Sequence, residues 1–197
     1  MKPVFFLFLL FPMQLFAQNN KAQFSHKILE VSSDLNKDQL ADKVVVTQDT
    51  IQESAPFRLQ IFLAQPDGTD QLFVTTTKLI EPQYPNGRSG FTSGSSLADI
   101  SIKNTVLTVS FDLIRGTFTY KFRLQNDNFE LIGYNEAQVN GDQIYYIDFN
   151  LSTGIKIEKT GNIGSDKIIS NTKRKVLIRP LPKIQDLIPF ENDDAIR

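Results

Sequence analysis

From residue 57 to residue 159 the apolar period is mostly two, and Gly, Asn, Asp and Pro interrupt it. A period of two belongs to a strand with one buried face, whereas a helix repeats every 3.6 residues. Phe57, Leu59, Ile61 and Leu63 alternate with Arg58 and Gln60. Gln65-Pro66-Asp67-Gly68 is a turn signal, and a second strand is expected over 71–80. Beyond a long connection, strands are expected over 97–103, 105–113, 118–124, 129–139, 143–151 and 155–159. Lys103-Asn104, Gly116, residues 125–128, Asn140-Gly141 and Ser152-Thr153-Gly154 punctuate them. Asn-Gly between alternating runs is the strongest short-range hairpin signal. Helical spacing is confined to 24–31, which suits a strand equally well, and to 184–188.

The expected fold is therefore all-β, a mostly antiparallel, sequentially connected meander over residues 18–197. A curved sheet, a sandwich and an open barrel all satisfy the pattern. Residues 160–172 are polar and contain Gly161 and Gly164, and read as a mobile loop. The run 173–179 begins as a candidate last strand. Pro180, Pro182 and Pro189 keep the rest of the chain out of a central ladder. Residues 180–197 are expected to form an extended strap, anchored by Leu181, Ile184, Leu187 and Phe190.

Residues 1–17 have the layout of a signal peptide. Lys2 opens it, a short apolar core comes next, and Ala17 offers a small residue for cleavage. The core is too short for a membrane span, and no later segment is apolar enough for a transmembrane helix. The chain has no cysteine. Disulfides, thiolate metal sites, a cysteine nucleophile and lipidation at a cysteine are excluded. A secreted or periplasmic bacterial protein is the expectation, stabilised by its core and by any ion it binds. Without residues 1–17 there remain 20 basic and 22 acidic side chains, about −2. That balance carries no electrostatic footprint for nucleic acid.

The one stretch that points to specific chemistry is Asp34-Leu35-Asn36-Lys37-Asp38-Gln39-Leu40-Ala41-Asp42, which runs into Lys43-Val44-Val45-Val46. Oxygen-bearing side chains stand at loop positions 1, 3, 5 and 9, and a strand begins at once. A hard cation such as Ca2+ takes six to eight oxygens, so this spacing suits one calcium ion. Asp34, Asn36, Asp38 and Asp42 would offer side-chain oxygens, and Leu40 its carbonyl. Val45 at position 12 excludes an EF-hand, which needs a bidentate Glu there, and Gln39 stands where such loops carry Gly. The alternative for these residues is an Asx-rich turn without an ion.

These residues resemble the D-x-[DN]-x-D-G-x-x-D calcium loops of FG-GAP and VCBS-type repeats. The resemblance covers residues 34–46. It implies calcium binding and an extracytoplasmic β-structure, and it implies no activity. Those families repeat the loop, and one copy occurs here, so a multi-bladed propeller is not expected.

Other constellations are weaker. His26 is the only histidine and has no Gly-x-Ser-x-Gly elbow beside it, so it reads as a surface residue. Asp112, Glu130, Glu136 and Asp148 are the carboxylates that glycoside hydrolysis would need, and the plainer reading is exposed strand charges. The connection 81–96 is long enough to be a binding loop, with Tyr84, Arg88 and Phe91 as recognition-type residues for a protein or glycan. Asn150-Leu151-Ser152 forms a glycosylation sequon, of no consequence in the expected bacterial setting. Lys173-Arg174-Lys175 reads as a solvated strand end.

The functional expectation is an exported, non-enzymatic β-domain with one calcium loop, acting as a binding or envelope-accessory module. A small secreted hydrolase that acts on carbohydrate through carboxylates is the alternative.

Overall fold

The structure, a computed structural model, describes residues 22–90, 94, 96–165, 167–192 and 194–197. The expected signal segment 1–17 and Phe91 lie outside the described residues.

Alternation becomes two antiparallel sheets. Strands β1 (His26–Ser33), β2 (Asp42–Gln48), β3 (Phe57–Ala64) and β4 (Asp70–Thr76) pair in chain order in the first. The second holds β5 (Leu97–Lys103), β6 (Val106–Leu113), β7 (Gly116–Gln125), β8 (Asn128–Asn140), β9 (Gln143–Asn150), β10 (Ile155–Asn162) and β11 (Ile168–Lys175), again in chain order. No helix occurs among the described residues, so 24–31 resolves as a strand and 184–188 forms no helix. No helix among them is long and apolar enough to cross a membrane. The sheets do not close into a barrel, and edge strand β1 lies beside edge strand β5.

The turns reflect residue chemistry. Asn104 and Thr105 both have positive φ (52° and 62°), as do Asn126 and Asp127 (49° and 55°). Two left-handed central residues define the type I′ turn, whose twist matches that of the strands it joins. The third hairpin pairs Asn140 with Gln143, so its two-residue loop is Gly141-Asp142, one position beyond Asn140-Gly141. Only Gly141 there has positive φ (63°), the glycine-first form of type II′.

Both sheets feed one core. Val44 and Val46 of β2, and Leu59 and Ile61 of β3, are buried in the same cluster as Leu107, Val109, Phe118, Tyr120 and Phe122 of the second sheet. Phe111 stacks on Phe118 with centroids 4.7 Å apart and planes 8° from parallel. Phe73 of β4 meets Phe129 of β8 edge-on at 5.8 Å, a direct contact between the sheets. Such aromatic pairs each add about 0.5–1.5 kcal/mol beyond the area they bury.

The chain end lies along the core. Leu181, Ile184 and Leu187 are buried, while Phe190 is 42% exposed and meets Phe118 edge-on. The Leu131 N–H donates to the Pro182 carbonyl, and the Ile184 N–H to that of Phe129. β9 pairs with β8 only from Gly133 onward, so the segment around Lys183 covers the part of that edge β9 leaves open. An uncovered edge would be a template for foreign strands.

Two expectations need correction. Residues 160–172 are not one loop, because β10 runs to Asn162 and β11 starts at Ile168. Every residue of β11 is exposed, so the strand carries no apolar alternation to announce it. The strand expected over 71–80 stops at Thr76, and the buried Leu79 and Ile80 lie beyond it.

Candidate metal-binding loop

The 34–42 loop joins β1 to β2 and winds around the Asp34 side chain. Asp34 Oδ1 accepts the N–H groups of Asn36 (3.1 Å) and Lys37 (2.5 Å), and Oδ2 accepts that of Gln39 (3.0 Å). Asn36 Oδ1 accepts from the Asp38 N–H at 3.0 Å, and Asp38 Oδ1 from the Leu40 N–H at 2.8 Å. Each oxygen-bearing side chain thus caps backbone two residues on, the local bond that Asx turns use. Lys37 and Gln39 adopt φ of 72° and 69°, so loop positions 4 and 6 are both left-handed without glycine.

Asp42 has a different role. It is fully buried; one carboxylate oxygen accepts the Leu35 N–H at 2.7 Å and the other the Ala64 N–H at 2.9 Å. It therefore ties the loop to the end of β3. Leu35 inserts into the core beside it, which fixes the loop from below.

The Asn36 amide nitrogen donates to Asp38 Oδ2 at 2.8 Å. Among the described residues, no group of three or more His, Cys, Asp or Glu side chains is gathered closely enough to hold a metal. The donor chemistry still fits a hard cation. A carboxylate has about four lone-pair sites, so an oxygen that accepts one N–H retains capacity. Asn36 and Asp38 would have to exchange their mutual hydrogen bond for the ion.

Of the expected recognition residues, Tyr84 and Arg88 are engaged within the chain. Arg88 lies over the Tyr84 ring at 5.5 Å and donates to the Thr50 carbonyl. The Tyr84 N–H donates to the Ser54 carbonyl and the Gln83 N–H to that of Ala55. The 81–90 segment is thereby clipped onto the 49–55 loop. That loop is itself gathered by the buried Asp49, which accepts from the backbone of Gln23, Ile51 and Gln52 and from the Gln52 side chain. Burial works against the Asp49 charge, but these donors outweigh it and hold the carboxyl below its usual range.

The strand carboxylates divide. Asp112 and Asp148 are exposed, in accord with the plainer reading, and His26 is exposed as expected. Glu130 and Glu136 are buried, which corrects that reading for both. Glu136 shares the inward phase of β8 with Tyr134, whereas Glu130 lies before a bulge, on the opposite face from Phe129 and Leu131 and paired with Arg123. Glu130 accepts from Gln125 Nε2 at 2.6 Å. Glu136 accepts from the Tyr134 hydroxyl at 2.6 Å and from Arg197 at 3.0 Å. Lys156, 2% exposed, donates to the Arg197 main-chain oxygen at 2.6 Å and pairs with Glu158 at 3.2 Å. Burial, then the Glu136 carboxylate, pushes the Tyr134 phenol up. Partial burial opposes the Arg197 charge, yet Glu136 outweighs it and holds the guanidinium above its usual value.

Sequence reasoning singled out neither Asp49 nor the Tyr134–Glu136–Arg197–Lys156 cluster. Phase was the available signal for Glu136, since it stands two residues after Tyr134. No family model matches the chain, and neither a curated protein nor a solved structure matches it.

Proposed function

We propose that this chain is an exported, non-enzymatic β-domain whose 34–42 loop takes one calcium ion, and that it serves as a binding or envelope-accessory module. The supporting observation is Gln39. It stands at the loop position where such loops carry Gly, and it adopts φ of 69° there. A left-handed backbone costs a non-Gly residue about 1–2 kcal/mol, so the chain keeps the bend despite the side chain. Asp34, Asn36 and Asp38 supply side-chain oxygens in this reading and Leu40 its carbonyl. Asp42, held by two N–H groups, orients the loop and lends its remaining lone pairs. Water completes the shell, because calcium tolerates six to eight oxygens. The ion joins β1 firmly to β2 and stabilises the first sheet. Four-stranded meanders also build the blades of propellers, and this chain has one such sheet beside a larger one.

The test is thermal melting with millimolar calcium and with chelator, for wild type and Asp38→Ala. Free calcium at about 100 times its dissociation constant adds roughly 2.7 kcal/mol, several degrees for a domain this size. Asp38→Ala is expected to abolish the difference. Coincident wild-type curves, with no binding heat by calorimetry, end the calcium reading. Export is checked separately by sequencing the N-terminus of the released protein, expected near Gln18.

A further inference from the structure

The outer face of the second sheet changes character along its width. On β6 and β7 the outward pairs are Ser110–Thr119, Asp112–Thr117 and Thr108–Lys121. Polar side chains belong on the solvated face of an antiparallel sheet. The next strands break that rule. Val139 of β8 pairs with Ile144 of β9, Ile144 with Gly161 of β10, and Gly161 with Ile168 of β11. In the adjoining row Tyr146 pairs with Lys159, and in the third Ile157 pairs with Lys173. Tyr146, Ile163 and Ile168 are 39%, 51% and 49% exposed. A concavity of about 660 Å³ opens among these side chains. Its size lies within the roughly 300–1,000 Å³ range of small-molecule sites.

Two features shape it. Gly161 has no side chain to fill its floor, and a Cβ built there would meet the Lys167 carbonyl oxygen at 3.4 Å, Ile144 at 3.6 Å and Ile168 at 3.9 Å, ordinary contacts. A bulge between Thr160 and Gly161 shifts the register of β11, so that Ile168 is the partner of Gly161. Among the described residues the lining carries one cation, Lys159, and one anion, Asp148, and Lys173 beside it on the same face tips the balance to positive. Lys159 lines the concavity, makes no ion pair among the described residues, and has Lys173 on the same face. Asp148 is the acid among the described lining residues, and it accepts from Asn135 Nδ2 at 2.9 Å.

We propose that this concavity binds a single-chain amphiphile with an anionic head. Its hydrocarbon lies over Gly161 between Ile144, Tyr146, Ile157 and Ile168. Its carboxylate or phosphate is taken by Lys159, with Lys173 adding positive potential. The site is separate from the 34–42 loop, so calcium and amphiphile binding are independent.

The experiment titrates the full chain, with chelator present, using dansyl-undecanoate, its methyl ester, a dansyl-alkylammonium of equal length, and phosphatidylglycerol vesicles. Saturable one-to-one binding of the carboxylate is expected, with weaker binding of the ester and of the ammonium. A charge-assisted hydrogen bond in a half-open site makes Lys159→Gln about tenfold weaker. Gly161→Leu fills the floor and is expected to abolish binding. Ile168→Gln, at a half-exposed position that keeps the fold, is expected to weaken it and carries the test if Gly161→Leu unfolds. Absence of saturable binding overturns the proposal. So does equal affinity for acid and ester, tighter binding of the ammonium, or association with vesicles alone. Unchanged binding by Ile168→Gln and Lys159→Gln overturns it as well.

Discussion

Tyr134 donates its phenolic hydrogen to Glu136, two residues further along the same strand, at 2.6 Å. Strand period places both on the inner face, so a buried carboxylate sits beside a buried phenol. Arg197 closes the group from the other side, and its guanidinium lies 4.8 Å from the centre of the Phe190 ring. The end of the chain is thereby bound to the middle of the second sheet.

The raised Tyr134 phenol predicts an alkaline limb of instability. A folded-state value above the unfolded one gives stability that is complete below the unfolded value, about 10 for tyrosine, and is lost as pH rises above it. Melting temperatures between pH 8 and pH 11 are expected to fall more steeply for wild type than for Tyr134→Phe. Parallel curves would show that the phenol does not resist ionisation in the fold.

Asp49 predicts the opposite limb. Its carboxyl is held low by the donors that gather around it, so it gives stability above the unfolded value and loses it as pH falls. Wild type is expected to lose more melting temperature than Asp49→Asn as pH falls from about 5 to about 2, through the usual aspartate value near 3.9. Asp49→Asn is also expected to expose the 49–55 loop and the 81–90 segment clipped to it. Limited proteolysis after Arg88 reports that release.

How much of the fold was legible depends on side-chain phase. The strands from Phe57 to Ala64 and from Leu97 to Lys103 stand where alternation put them, because one face of each meets the core. β11 gave no such signal, since a fully exposed edge strand has no buried face to set a period. Arg197 was invisible for another reason. Its partner Glu136 is 61 residues away in sequence, and only the path of residues 180–197 brings them together. The 34–42 spacing pointed to a calcium loop, with an Asx-rich turn as the alternative; it did not reveal that Asp42 would be buried.

Gly116 predicts a backbone limit. It opens β7 directly against β8, and a Cβ there would lie 2.3 Å from the Ala137 carbonyl oxygen, far inside contact distance. The obstacle is backbone within a paired ladder, so neither a rotamer change nor a small side-chain shift relieves it. Gly116→Ala is expected to cost about 1–3 kcal/mol, as overpacking does. Urea unfolding measures it, and a loss under about 0.5 kcal/mol would mean the strands separate freely there.

Asp42 and Asp38 separate structure from ion binding in the same loop. Both carboxylate oxygens of Asp42 accept backbone N–H groups, one of them in the buried Leu35 peptide. Asp42→Ala leaves two donors unpaired, at about 1–3 kcal/mol for each that stays dry. Asp38 is exposed and, among the described residues, accepts from Leu40 and Asn36 within the loop. Asp38→Ala is therefore expected to shift stability by about 0.5 kcal/mol or less in chelator. Urea melts in chelator should then show Asp42→Ala well below wild type and Asp38→Ala close to it. Calcium should widen the gap between wild type and Asp38→Ala, and leave the gap in chelator as the purely structural part. Equal losses for the two variants in chelator would mean that Asp42 does not anchor β2 to β3.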